Sequence, residues 1–247
     1  MPNLNDQVVL ITGANRGQGK AIAKHLASLG AKVAVGARNV EDAETLSLEI
    51  SQNQVLPVQL DVTKVADWTA AVQTVIDTYH RIDVLINNAG IFIKKPLLDT
   101  TVEDFQQQVN VNQLGVFMGI KAVAPYMEKQ RKGSIINNIS ISAFAPINDA
   151  AAYAASKAAV SNLSKSAAIE LGPKGIRVNS IHPGVIETNM ANGSNLNLNK
   201  IDAIPLRRMG QSNDIAQVAA FLASDESAYC NGAEIVVDGG LTLGTDV

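Results

Sequence analysis

Tyr153 and Lys157 stand four residues apart in Tyr153-Ala-Ala-Ser-Lys157, within a stretch of helical period. Residues four apart share one helix face, so a phenol and an ammonium can address the same pocket. Free tyrosine has a pKa of about 10 and is a poor acid or base near neutrality. An ammonium about 4 Å away, at an effective dielectric near 20, offers a gross Coulomb energy of about 4 kcal/mol before desolvation is charged against it. Lys157 is therefore expected to lower the Tyr153 pKa. Ser140 lies thirteen residues upstream of Tyr153, at the end of a β-rich run, where its hydroxyl could hydrogen bond a reacting oxygen. Ser142 competes for that part, and Ser140 is favoured.

A second cluster suits anions. Thr12-Gly13-Ala14-Asn15-Arg16-Gly17-Gln18-Gly19 follows the first apolar run and opens a helix expected over Lys20 to Leu29. Glycines permit a tight turn and close backbone approach to a pyrophosphate, and a helix N-terminus attracts negative charge. About twenty residues on, the chain reads Gly36-Ala37-Arg38, with no carboxylate where a ribose 2′-hydroxyl would be bound. A guanidinium, matched to phosphate, stands there instead. Glu41 and Asp42 come too late and are read as first-turn acids of a helix capped by Asn39.

These residues must be positioned by a scaffold. Val8 to Thr12, Val33 to Val35, Val55 to Leu60, Ile82 to Asn87, Ser134 to Ile139, Arg177 to Ile181 and Glu234 to Val237 read as seven strands. The first six are almost continuously apolar, as in strands covered on both faces, and the segments between them are long enough for crossover helices. The fold class expected is α/β, a doubly wound Rossmann-type fold whose seven-stranded parallel sheet has helices on both faces. With 247 residues, 47% of them apolar and no linker-like tract, residues 1–247 are expected to form one domain. Asn189 to Asn199 is rich in asparagine and follows the sixth strand, so about 189–204 is expected to be a mobile substrate loop.

The glycine spacing with its leading Thr12, Asn87-Asn88-Ala89-Gly90 after the fourth strand, Ser140 with Tyr153-x-x-x-Lys157, and Pro183-Gly184-Val185-Ile186-Glu187-Thr188 after the sixth together resemble the short-chain dehydrogenase/reductase family. The likeness runs from Thr12 to Val236-Val237-Asp238-Gly239-Gly240. Gln18 departs from it, because the family usually has an aliphatic residue there.

The resemblance implies an oxidoreductase moving a hydride between nicotinamide and a carbonyl or secondary alcohol. Tyr153 would be its general acid/base. Lys157 would hold the nicotinamide ribose, Ser140 the substrate oxygen, and Asn112, preferred to Asn110, a water-linked proton path. It also implies cofactor contacts from Gly13, Asn15, Arg16, Gly17, Gln18, Gly19, Arg38, Asp61, Val62, Asn88, Ala89, Gly90, Tyr153, Lys157, Pro183, Gly184, Ile186 and Thr188. Arg16 joins Arg38 in favouring NADP(H). Ser142, Phe144 and Ile147 are expected to line the substrate pocket, and a homotetramer or homodimer is expected.

Composition narrows the partners. Formal net charge is −3 with no basic run, so neither nucleic acid nor an anionic membrane is expected, and small molecules are. The N-terminal residues lack a signal-like pattern, no long apolar stretch occurs, and Cys230 stands alone, so a cytoplasmic location is expected. His25, His80 and His182 have no metal-ligand spacing, so no metal is expected. Two other readings fit parts of the pattern: a non-catalytic NADP-binding regulator, and an epimerase or dehydratase of the extended branch. Oxidation of NADPH by ketones separates them from the first.

Overall fold

The computed structural model describes residues 2–50, 54–188 and 201–244. Seven strands, β1 (Val8–Thr12), β2 (Lys32–Ala37), β3 (Val55–Gln59), β4 (Val84–Asn87), β5 (Gly133–Asn138), β6 (Ile176–Pro183) and β7 (Glu234–Val237), form one sheet in the order 3-2-1-4-5-6-7. Every adjacent pair is parallel. The helices between them are α1 (Gly17–Ser28), α2 (Val40–Glu49), α3 (Val65–Tyr79), α4 (Val102–Val109), α5 (Gly115–Gln130), α6 (Ala151–Leu171) and α7 (Ser212–Ala223).

The apolar runs explain this layering. Successive strand side chains point to opposite faces, so a strand apolar at every position feeds two cores. Val9 and Ile11 of β1 join Ile22, Leu26, Ile215 and Ala219 on the face covered by α1 and α7. Val8 and Leu10 join Trp68, Val72, Val123, Met127 and Val160 on the face covered by α3, α5 and α6. Two glycines of α5 bring that layer close. A Cβ on Gly119 would lie 2.7 Å from the Trp68 ring and 2.6 Å from Asn87 Oδ1, and one on Gly115 would meet Val62 at 3.0 Å.

Several boundaries differ from the sequence expectation. β2 is longer at both ends, β3 stops at Gln59, β4 starts at Val84, and β6 continues through His182 and Pro183. α1 begins at Gly17, three residues before the expected Lys20. Asn39 occupies the N-cap position of α2 but its side chain makes no capping bond. The first turn of α2 is tied to the glycine loop instead, where Asn15 Nδ2 donates to Asp42 Oδ2 at 3.1 Å. Of the expected substrate loop, 189–200 lie outside the described residues, while Ile204 is buried.

The strand order reverses between β1 and β4, which places the loops after these strands side by side. Open α/β sheets bind ligands at such a switch, beyond the C-terminal strand ends.

Candidate active site

The turn after β1 is held to the turn after β4 by Thr12 and Asn88. Thr12 Oγ1 accepts from the amides of Asn88 (3.0 Å) and Ala89 (2.9 Å), and Asn88 Nδ2 donates to the carbonyls of Thr12 (3.0 Å) and Gly13 (3.1 Å). Asn-Asn-Ala-Gly is thus a strap between strands as well as a wall of the cleft. Glycine is required where the chain turns. Gly13 has φ +63° and a Cβ there would sit 2.9 Å from Ala89 Cα. At Gly19 a Cβ would sit 2.4 Å from Gly13 O. The Pro183–Thr188 segment arrives from β6, and the Thr188 methyl lies 3.8 Å from the Cβ position of Gly17.

Arg16 and Arg38 are both exposed at this edge, and neither side chain forms a hydrogen bond or ion pair with the described residues. Arg38 does act on Asp61. Burial works to raise the Asp61 carboxyl, but the Thr63 hydroxyl and amide, with the charges of Lys64 and Arg38, hold it below its ordinary value. Val62 is buried, and its carbonyl accepts from Trp68 Nε1 at 3.1 Å.

The glycine loop connects to the end of β5 through Gln18. Asn138 Nδ2 donates to Gln18 Oε1 at 2.9 Å and to Asn88 Oδ1 at 3.0 Å. Asn138 Oδ1 is buried without a hydrogen-bond partner among the described residues. The departure at Gln18 is therefore matched by a polar residue at the end of β5. Asn138 was not singled out in the sequence; the signal for it was a pair of asparagines ending an apolar strand.

Tyr153, Lys157 and Ser140 come together at the C-terminal end of β5. α6 carries Tyr153 and Lys157 on one face, with the Lys157 ammonium 5.6 Å from the Tyr153 ring centroid. Lys157 is 6% exposed and its Nζ donates to Asn138 O at 3.3 Å. Phe92 packs edge-on against the Tyr153 ring at 4.9 Å. Ser140, rather than Ser142, is the hydroxyl that acts on the Tyr153 phenol, favouring its ionised form. Ser142 is buried behind it, its amide donating to Ser140 Oγ at 3.1 Å. Phe144 and Ile147 stand half exposed on the segment that leads into α6.

Asn112 sits in a π-helical turn, Asn110–Leu114, between α4 and α5. Such turns are rare and frequent at functional sites. The side chain is fully buried: Oδ1 accepts from the Ile91 amide at 2.8 Å, and Nδ2 donates to Ile91 O (3.0 Å) and Ser156 Oγ (3.1 Å). Asn112 thus clamps the strap after β4 to the residue preceding Lys157. Oδ1 and Lys157 Nζ approach the same point, 3.3 and 3.6 Å from the Cβ position of Gly90.

The electrostatics correct one expectation. Among the protein's own groups, burial pushes the Tyr153 phenol up, opposed by the Ser140 hydrogen bond, and the net direction is upward. Burial also lowers Lys157 to about 8. At 5.6 Å from the ring, a partly desolvated ammonium does not outweigh the loss of water around the phenol. Tyr153 is held as a protonated acid.

Among the described residues, no group of three or more His, Cys, Asp or Glu side chains could hold a metal ion, and no helix is long and apolar enough to cross a membrane. Hollows of about 490–540 Å³ occur beneath Val185 and Gly210 and around Asp83. Neither is lined by Asn112, Ser140, Tyr153 or Lys157.

Known proteins match this architecture over almost its whole length. The family model described as Enoyl-(Acyl carrier protein) reductase, from a set of short-chain dehydrogenases, matches residues 13–242. A trans-4-hydroxycyclohexanecarboxylate dehydrogenase of Sinomonas cyclohexanicum is 40% identical over 98% of this chain and 95% of its own. A 3-alpha-(or 20-beta)-hydroxysteroid dehydrogenase of Mycobacterium tuberculosis is 40% identical over 96% of this chain and 90% of its own. The crystal structure of a 3-ketoacyl-(acyl-carrier-protein) reductase from Brucella melitensis, complexed with NADH, superposes with a TM-score of 0.94 at 34% identity, covering 97% of this chain and all of that one. The chain belongs to the short-chain dehydrogenase/reductase family of hydride-transferring oxidoreductases.

Proposed function

We propose that this oxidoreductase uses NADP(H) to interconvert a ring ketone and the corresponding secondary alcohol, with Tyr153 as proton donor and acceptor. The observation that carries this reading is the buried Lys157 ammonium 5.6 Å from the Tyr153 ring centroid, with the Ser140 hydroxyl favouring ionisation of the same phenol.

The cleft fits a dinucleotide. Gly13 and Gly19 leave no space for a Cβ where the backbone must approach a pyrophosphate. Arg38 follows β2 and Arg16 stands in the glycine loop, both exposed and neither side chain hydrogen bonded or ion paired among the described residues, which suits a 2′-phosphate better than a hydroxyl. Asn15, Gly17, Gln18, Asp61, Val62, Asn88, Ala89, Gly90, Pro183, Gly184, Ile186 and Thr188 complete its walls. When bound, the nicotinamide supplies or accepts the hydride.

The chain's own residues manage the oxygen and its proton. Ser140 donates to the substrate oxygen and stabilises charge as the carbonyl becomes an alkoxide. Tyr153, kept protonated by burial, gives its proton to that oxygen during reduction. In the oxidative direction the phenolate is stabilised by Lys157, which would also hold the nicotinamide ribose. Asn112 keeps the Ile91 strap and α6 in register, so that Lys157 faces Tyr153 and a water path can reach it.

Two relatives carry the names of dehydrogenases for ring-bearing alcohols, a hydroxycyclohexane acid and a hydroxysteroid. Phe92, packed on Tyr153, and the half-exposed Phe144 and Ile147 offer apolar surface that suits a ring. The exposed Val102, Phe105, Leu114 and Phe117 of the α4–α5 layer suit burial between subunits, in a homotetramer or a homodimer. Light scattering of the purified protein checks that assembly.

The test uses purified protein with NADPH or NADH and a panel of cyclohexanones, ketosteroids, sugar ketones and 3-oxoacyl thioesters. NADPH with ring ketones is expected to give the highest kcat/KM. Tyr153→Phe should keep NADPH binding, read by fluorescence, and lose about 10³-fold in turnover. Arg38→Asp should move preference toward NADH. A wild type that prefers NADH overturns the cofactor assignment, and near-normal turnover in Tyr153→Phe overturns the proton assignment.

A further inference from the structure

We propose that His182 is a positioning residue for Ser140. The proposal rests on the reading of Ser140 as the group that meets the substrate oxygen.

His182 is the last residue but one of β6, and its side chain is fully buried. Nδ1 lies 3.0 Å from the Ser140 carbonyl. That carbonyl also accepts from the Ala143 amide at 3.1 Å, closing the short turn that carries Ser142 and leads to Phe144. The backbone of Ser140 is therefore gripped by two donors, one local and one from the adjacent strand, while its Oγ takes the Ser142 amide and favours ionisation of the Tyr153 phenol. The Phe144 ring lies 5.4 Å from the imidazole, so the same side chain also supports an apolar wall of the cleft.

The grip on an acceptor requires a proton at Nδ1. A neutral imidazole then presents a bare Nε2, which lies 3.3 Å from Glu234 Oε1 without forming an aligned hydrogen bond. Glu234 is itself held by Lys165 at 2.6 Å and by the Ser161 hydroxyl. Burial, aided by Lys165, keeps the imidazole below its ordinary pKa, against the pull of the Ser140 carbonyl and Glu234. Glu234 of β7 and Lys165 of α6 are the charged groups acting on the ring. The neutral Nδ1–H form is thus the working state at neutral pH. An added proton would go to Nε2, toward Glu234, and leave the grip on Ser140 intact.

A histidine packed there only for its bulk would be best replaced by a residue of similar volume. A histidine that holds Ser140 is best replaced by one that keeps a donor at the Nδ1 position. The Asn amide nitrogen reaches that position, whereas the Gln amide nitrogen reaches that of Nε2.

The experiment compares His182→Asn, His182→Gln and His182→Leu in the full chain, with Ser140→Ala as reference, recording kcat, KM for a reducible ketone, NADPH binding by fluorescence, and Tm. His182→Leu is expected to lose about 10- to 100-fold in kcat, the scale of a misplaced contact at a reacting centre, with NADPH binding unchanged. His182→Asn is expected to recover to within about 3-fold of wild type, and His182→Gln to remain about 10-fold below His182→Asn. Wild-type kcat between pH 6.5 and 8 should not follow a histidine titration. Equal activity of the Asn and Gln variants, or wild-type kcat in a folded Leu variant, overturns the proposal. If Ser140→Ala retains full activity, the role of Ser140 fails and the proposal with it; if Ser140→Ala is impaired and the histidine series is flat, only the proposal fails.

Discussion

Two buried charges sit at opposite ends of the same sheet, and the protein treats them differently. At the N-terminal strand ends, Asp83 is 5% exposed and fully partnered: Arg81 grips it with Nε and Nη2 at 2.9 and 2.6 Å, and the Val8 amide donates to it at 2.9 Å. At the C-terminal ends, Lys157 is 6% exposed and, among the described residues, has only the Asn138 carbonyl at 3.3 Å and no carboxylate paired to it. A charge buried with its counter-ion holds structure together. A charge buried without one costs stability, and it persists where the site uses it.

Replacing Lys157 should move activity and stability in opposite directions. Lys157→Met removes the cation beside Tyr153, and kcat is expected to fall by about 10²- to 10³-fold. Burial lowers the Lys157 pKa from 10.5 to about 8, so folding with the ammonium in place costs on the order of 3 kcal/mol at neutral pH. For a lysine depressed in the folded state, that cost is full below pH 8 and fades as the pH rises toward 10.5. Lys157→Met should therefore raise Tm at pH 7, with the gain shrinking by pH 10. Thermal melts of both proteins across this range measure it, and a variant less stable than wild type at pH 7 would break the contrast.

Asp83 should behave in the reverse way. Asp83→Ala leaves the Val8 amide without its acceptor, while Arg81, half exposed, can turn to water. A loss of about 2–3 kcal/mol is expected, below the range for a fully enclosed pair because the cation is not trapped. For a chain of this size that is a drop of roughly 5–10 °C in Tm. Turnover of the folded fraction should stay within about 2-fold of wild type, since Asp83 lies at the far end of the sheet from Tyr153.

The two ends were unequally legible in the sequence. The strands could be read because both faces of the sheet are covered, which makes β1 to β6 apolar at nearly every position. The spacing of Tyr153, Lys157 and Ser140 could be read because α6 and the end of β5 impose it. What could not be read depended on pairings across strands. Asn138 meets Gln18 over 120 positions of chain, and His182 meets Ser140 over 42. No periodicity carries such information, and His182 looked like one more isolated histidine. The direction of the Tyr153 shift was misjudged for a related reason: spacing gives the distance between two charges along a helix, while the desolvation that opposes them depends on Phe92 and the strap after β4, which arrive from elsewhere.

The smallest effect is expected at a charge that resembles Lys157 only in the size of its shift. Glu49, at the end of α2, is clamped by Lys20 at 2.6 Å and Lys24 at 2.7 Å of α1, which hold its carboxyl down at about 2. The carboxyl is solvent-exposed, so water and salt screen the attraction that sets its titration. Its folded-state pKa lies below the ordinary 4.5, so its stabilising effect is present above pH 4.5 and is lost as the pH falls through about 2. Glu49→Gln should leave kcat unchanged and move Tm at pH 7 by no more than about 1 °C, a difference that disappears in 1 M NaCl. A large, salt-resistant loss would mean that exposure does not separate a costly shift from an inexpensive one, and the distinction between Lys157 and the surface pairs would have to rest on something other than burial.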